Sequence, residues 1–234
     1  MPEKTIPHIL VSCDERMRYF IKTPWWLKKL NPGFTWDIKT DQKILYLTFD
    51  DGPHPQVTGF VLDLLKKYNA KGTFFCIGKN VEKHPEMYKR IGEEGHAVGN
   101  HTNNHLNGWK TKDEVYLNDI SLAAKSIQSE LFRPPYGRIT NYQARSLRNA
   151  MGVSNAKIIM WDVLSADFDT NITPQKSMKN VINNARPGSI IVFHDTEKAF
   201  PRLEASLSAT LDYFKGKEYQ FDSLSKISIL GKVD

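Results

Sequence analysis

Apolar positions along the chain follow two alternating periods. Ile44 to Phe49 is a β-branched and aromatic run that stops at Asp50-Asp51-Gly52-Pro53, as a buried strand does when it ends in a turn. Val57, Val61, Leu64, Leu65 and Tyr68 then recur on one face at helical spacing. The exchange continues with a strand from Gly72 to Ile77, a helix from Val81 to Glu94 with Pro85 near its start, and a short strand from Ala97 to Asn100. Ile120, Ala123, Ala124, Ile127 and Leu131 mark a further helix, and prolines hold Phe132 to Tyr136 extended. Asn141 to Ala150 is predicted helical, Ile158 to Val163 a strand, Ser177 to Ala185 a helix and Ser189 to Phe193 a strand. Leu203, Leu207, Thr210, Leu211 and Phe214 trace a last helix before a short strand at Tyr219 to Phe221.

Such alternation implies parallel strands joined by helical crossovers. About seven units predict an α/β fold, a distorted (β/α) barrel short of the regular eightfold one. Residues 1–42 lie outside the pattern and are expected to form an N-terminal extension packing on a main domain of residues 43–234. Within the extension, Pro24-Trp25-Trp26-Leu27-Lys28-Lys29-Leu30 mixes aromatic and basic side chains. Its tryptophans are expected to cover one end of the barrel, the competing expectation being contact with a membrane surface.

Composition changes this picture little. At 40% hydrophobic and 25% charged residues the chain is an ordinary globular one. The net charge of +6 favours an acidic or cell-wall partner, or else a basic surface spread over many helices. Basic and acidic residues are interleaved with no long basic run, which argues against nucleic acid. Cys13 and Cys76 make no disulfide framework, and Cys76 sits in the apolar run Phe74-Phe75-Cys76-Ile77. The N-terminus shows no signal-peptide pattern and no apolar run approaches the ~20 residues that span a bilayer. If the chain is complete, a cytoplasmic location is expected. Oligomeric state is not legible.

Chemistry concentrates where strands end. Asp50 and Asp51, His101 and His105, Asp162 and Asp167, and His194 and Asp195 each follow a predicted strand. In a parallel barrel those ends share one face, where active sites are built. His101 and His105 are four residues apart, so one helical turn presents both imidazoles to a single point. Taken alone the pair is as readily two surface histidines. A carboxylate as third ligand would complete an open hydrolytic zinc site, leaving its neighbour free as a base. A histidine ending a buried strand is by default a satisfied core residue. Asp167 on an adjacent strand end would instead raise the pKa of His194 and set its tautomer.

Four motifs in this order, Thr48-Phe49-Asp50-Asp51-Gly52-Pro53, His101-Thr102-Asn103-Asn104-His105, Arg133-Pro134-Pro135-Tyr136-Gly137 and Ile191-Val192-Phe193-His194-Asp195, resemble those of the polysaccharide deacetylases, the NodB-homology domain of carbohydrate esterase family 4. The resemblance runs from about Lys43 to Asp195 and carries the family's distorted barrel with it. It implies Asp51, His101 and His105 as ligands of a divalent metal, zinc with cobalt able to substitute. Asp50 is then the general base and His194 the general acid. Arg133 orients Asp50, Asp167 supports His194, and the Tyr136 backbone N–H binds the oxyanion. Phe168, Val192 and Pro134 are expected to wall the pocket for the acetyl methyl. The implied substrate is an acetylated glycan, peptidoglycan-like or chitin-like, and the reaction hydrolysis of its N-acetyl group. Where the family often shows Asp-x-x-Asp-Trp, this chain has Leu164-Ser165-Ala166-Asp167-Phe168, which alters two substrate-facing positions. Competing expectations are a hydrolase of a non-sugar amide or cyclic imide on the same fold, a silent carbohydrate-binding relative, or a scaffold acting through Trp25-Trp26.

Overall fold

The computed structural model describes residues 19–226, so the signal-peptide expectation and Cys13 fall outside the described residues. A short helix α1 (Trp25–Leu30) precedes the alternating units. These run β1 (Ile44–Asp50), α2 (Pro55–Lys67), β2 (Gly72–Cys76), α3 (Gly78–Lys83), α4 (Pro85–Glu93), β3 (Ala97–Asn100), α5 (Asp113–Ala124), β4 (Leu131–Phe132) and α6 (Asn141–Met151). They continue with β5 (Lys157–Ile158), β6 (Val163–Leu164), α7 (Pro174–Ile182), β7 (Ile190–His194), α8 (Phe200–Lys215) and β8 (Gln220–Phe221).

The seven strands β5-β4-β3-β2-β1-β7-β6 form one curled parallel sheet, and β8 pairs with the start of β1. The sheet stays open between its edges, a half-barrel. Period-two alternation sorts its side chains. Leu45, Leu47 and Phe49 of β1 pack outward with Val61 and Leu65 of α2 and Leu207 and Leu211 of α8. Tyr46, Phe75, Leu131, Ile159 and Ile190 fill the concave interior.

Three local expectations change. The strand expected from Ile158 to Val163 is two strands on opposite edges of the sheet, because residues 159–162 cross the open side between them. The helix expected from Val81 to Glu94 breaks at Pro85, whose ring removes an N–H and forces His84 out of helical geometry (φ −132°, ψ 56°). The helix marked by Ile120 stops at Ala124, and Leu131 belongs to β4.

The open side is filled by the N-terminal segment. Lys22 bridges antiparallel to Val163 on one edge, and Thr35 bridges parallel to Ile159 on the other. Leu27, Phe34 and Trp36 pack with Phe132, Ile158 and Met160. Trp25 and Trp26 do not: they are 69% and 44% exposed. Among the described residues no helix is long and apolar enough to cross a membrane.

Candidate active site

β1 delivers two carboxylates to the rim. Asp51 takes a left-handed backbone (φ 79°) immediately after Asp50, so two consecutive side chains serve different places. Asp50 is buried, whereas the Asp51 side chain is 22% exposed. The turn is held from behind. Asp51 N–H donates to the Phe75 carbonyl (3.2 Å), and Asn80 Nδ2 donates to the Asp51 carbonyl (2.7 Å). Gly52 N–H donates to Asp195 Oδ1 (3.0 Å). Gly52 is required there, since a Cβ would lie 2.1 Å from Asp195 Oδ2.

The loop after β3 brings the histidines to Asp51. His101 Nε2 and His105 Nε2 stand 3.4 and 3.1 Å from Asp51 Oδ1. The three donor atoms lie within 4.8 Å of one another. The loop needs two left-handed residues, Thr102 and His105 (φ 63° and 55°). Asp119 of α5 accepts from the backbone N–H of Asn103 and Asn104 (3.0 and 2.9 Å) and thereby stabilises its path.

This donor set fits a divalent cation. Asp51 Oδ1 is buried and accepts no hydrogen bond, the condition of an oxygen whose partner is an ion. His101 Nδ1 lies 2.7 Å from the Arg133 carbonyl, which fixes Nδ1–H and leaves the Nε2 lone pair directed at the cluster. Burial alone would raise the Asp51 carboxyl, but the two imidazoles beside it hold it well below the usual carboxylate range. A divalent-metal site is present.

Arg133 crosses the barrel interior fully buried. Its Nη1 donates to Asp50 Oδ1 and to Thr48 Oγ1, both at 2.7 Å. Nε and Nη2 donate to the carbonyls of Ile159 (3.1 Å) and Met160 (3.0 Å), and the guanidinium lies 4.1 Å over the Phe75 ring. Burial lowers its pKa while the Asp50 charge opposes that, as expected of a buried cation balanced by one carboxylate.

On the other side, Asp167 grips His194 twice: Oδ2 accepts the backbone N–H and Oδ1 the ring Nδ1–H, each at 2.8 Å. Burial would depress the imidazole, yet Asp167, with Asp51 and Asp50 farther off, raises it to about 9. Phe168 sets its ring edge-on to His194 at 5.0 Å, and Tyr19 of the N-terminal segment sets its own against Phe168 at 5.4 Å. Val192 is buried one inward position below His194 on β7, and Pro134 is buried beside Arg133. Tyr136 is left-handed (φ 59°), its ring covers His105 at 4.6 Å, and among the described residues its N–H has no acceptor.

Asp162 does not join this group. It precedes β6 at the seam, where Lys22 and Lys28 each hold it at 2.6 Å and Ser189 at 2.5 Å. Its placement on the catalytic face depended on the single strand that the fold divides. Sequence inspection also passed over Asp119, which lies in an amphipathic helix like any solvated acid, and Tyr19, which lies far from every motif. Asp195 is fully buried, tied to Gly52 and to Thr58 Oγ1 (2.5 Å), and burial raises its carboxyl to about 7. Its place beside His194 was the only signal.

The family model described as polysaccharide deacetylase matches residues 37–156. A peptidoglycan-N-acetylglucosamine deacetylase of Bacillus cereus is 35% identical over 208 residues, covering 86% of this chain and 96% of that protein. A chitooligosaccharide deacetylase of Azorhizobium caulinodans is 34% identical over 165 residues, 68% of this chain and 76% of its own. The crystal structure of the Bc1960 peptidoglycan N-acetylglucosamine deacetylase superposes with a TM-score of 0.76 at 33% identity, covering 86% of this chain and 95% of that one.

Proposed function

The chain belongs to the polysaccharide deacetylase family, and from that premise we propose that it hydrolyses N-acetyl groups of an amino-sugar polymer, using zinc held by Asp51, His101 and His105. One observation carries this proposal. The open three-donor cluster stands between a carboxylate clamped by buried Arg133 and a histidine gripped twice by buried Asp167. A cation bound there would supply Lewis acidity, polarising the acetamide carbonyl and making water nucleophilic near neutral pH.

The chain's own groups account for the proton movements. Arg133 engages Asp50 through Oδ1 alone, so Oδ2 is free to accept a proton from the attacking water. The unspent Tyr136 N–H is a preset donor for the oxyanion, at no reorganisation cost during the reaction. His194 has Nδ1 committed to Asp167, which leaves Nε2 to protonate the departing amine, a poor leaving group without it. Phe168 shields one side of that imidazole from water.

The similar proteins are named for N-acetylglucosamine in peptidoglycan and for chitooligosaccharide, and the unit common to both names is the acetylated amino sugar. Acetate release from acetylated glycans is the test. Metal-stripped protein should be silent, and zinc or cobalt should restore turnover. Full activity after stripping, or no acetate from any acetylated glycan with metal bound, overturns the proposal.

A further inference from the structure

Two loops leave strand ends on the metal side of the sheet: residues 101–112 after β3 and residues 133–140 after β4. They pack backbone to backbone. A Cβ at Gly108 would lie 2.5 Å from the Arg138 carbonyl, and Gln143 Nε2 donates to the Gly108 carbonyl at 2.9 Å. This contact puts Trp109 on top of Arg138. The indole Nε1–H donates to the Ile139 carbonyl (3.0 Å) and Trp109 N–H to Asn107 Oδ1 (3.0 Å), so the ring is anchored although 61% exposed. The Arg138 guanidinium lies 4.0 Å from the centre of that ring.

Among the described residues, Arg138 has neither a carboxylate partner nor a side-chain hydrogen bond. Asp113, the acid close to this corner, is engaged by Thr140 and Gln143. Burial is the sole influence on Arg138 and lowers its pKa. A half-buried guanidinium without an acceptor is an unbalanced charge. An indole whose centre lies 4.0 Å from Cζ takes up one side of the guanidinium and leaves the N–H groups of its planar fork available to a carboxylate. The metal ligand His105 is four residues before Trp109, and Tyr136, whose ring covers His105, is two residues before Arg138.

We propose that Trp109 and Arg138 form a carboxylate-binding subsite beside the metal centre, which selects amino-sugar polymers bearing an acidic group near the acetylated unit over neutral ones. This rests on the deacetylase function proposed above and names its substrate class: a glycan with carboxylates on its sugars or on peptides attached to them. Trp109 acts as a positioning residue that holds the guanidinium plane.

The test uses metal-loaded protein and acetylated glucosamine oligomers in matched forms: neutral, carrying a lactyl-ether carboxylate on the neighbouring sugar, and the same oligomer with that carboxylate converted to a primary amide. A fourth carries its carboxylate on a peptide attached to the lactyl group. The parent should show kcat/KM about tenfold higher for an acid than for its amide, the size of one charge-assisted contact, expressed mainly in KM. Arg138→Gln should bring that ratio close to one, and Arg138→Lys should restore only part of it. Trp109→Phe, which keeps a ring, should lower the ratio less than Arg138→Gln. A preference confined to the lactyl or to the peptide arm locates the acid on sugar or peptide. A ratio near one in the parent, or a ratio that survives in Arg138→Gln, overturns the proposal. Absence of acetate from all four oligomers would instead sink the deacetylase function itself.

Discussion

Asp50 and Asp51 are adjacent and chemically identical, yet the backbone sends them to different partners, one to Arg133 and one to the imidazole pair. Their substitutions should therefore separate. Asp50→Asn should keep metal affinity and lower kcat by about 10² to 10⁴, the usual contribution of a general base. Asp51→Asn should instead weaken metal binding, measured by competition with a chelating dye. Equal loss of affinity in both variants would reject the division of roles. His194 gives a second residue-scale expectation. Its folded pKa is raised from 6.5 to about 9, so its protonated form is stabilised by the fold. That contribution is complete below about 6.5 and is lost as pH rises through about 9. In the proposed mechanism only the imidazolium donates to the leaving amine, so kcat should fall on an alkaline limb set by His194 in the metal-loaded enzyme. Asp167→Asn removes the charge while keeping the size, so the limb should move to lower pH and the maximum should drop. A limb that stays in place, with metal content matched, would mean that Asp167 does not govern His194.

At the scale of elements, the weak point of the architecture is the seam between β5 and β6. Two-residue strands contribute few ladder hydrogen bonds, and an open edge exposes unpaired backbone. The segment from residue 19 to 38 pairs with both edges, and Lys22 and Lys28 of that segment converge on Asp162, whose side chain is fully buried. Removing the shared carboxylate leaves two cations facing each other. Asp162→Ala should therefore cost about 3 kcal/mol, the lower end for a broken buried pair because both lysines reach solvent. For a domain of this size that is a fall in Tm of roughly 6–12 °C. Thermal unfolding followed by circular dichroism checks it, and an unchanged Tm would show that the segment does not stabilise the seam through this ion pair. β1, which leads into Asp51, lies centrally in the sheet, whereas β7, which carries His194, pairs with β6 at the edge of that seam.

Across the whole molecule, metal binding and stability are linked. The three ligands come from a turn after β1 and a loop after β3, so the ion ties together parts that diverge on unfolding. At a hundredfold excess over Kd, binding should add about 2.7 kcal/mol, and chelation should lower Tm by several degrees without disturbing the far-ultraviolet spectrum. No shift on chelation would contradict a pre-organised site. The alternation of strand and helix, the parallel α/β class with about seven strands and the four motif positions were legible in the chain, because a buried strand and an amphipathic helix each impose a period on their own residues; that the curled sheet stays open as a half-barrel was not. The seam was not legible. Ile158 to Val163 reads as one apolar run, and nothing local says that its two halves sit on opposite edges with Asp162 between lysines. The same holds for Asp119 beneath the histidine loop, Tyr19 behind Phe168 and the stacked pair of Trp109 and Arg138. Sequence by itself determined which residues carry chemistry and which period each segment follows, since both are properties of neighbours along the chain. Only the tertiary structure decided which distant side chains meet, because closing a curled sheet sets contacts between residues more than a hundred positions apart, such as Lys22 and Asp162.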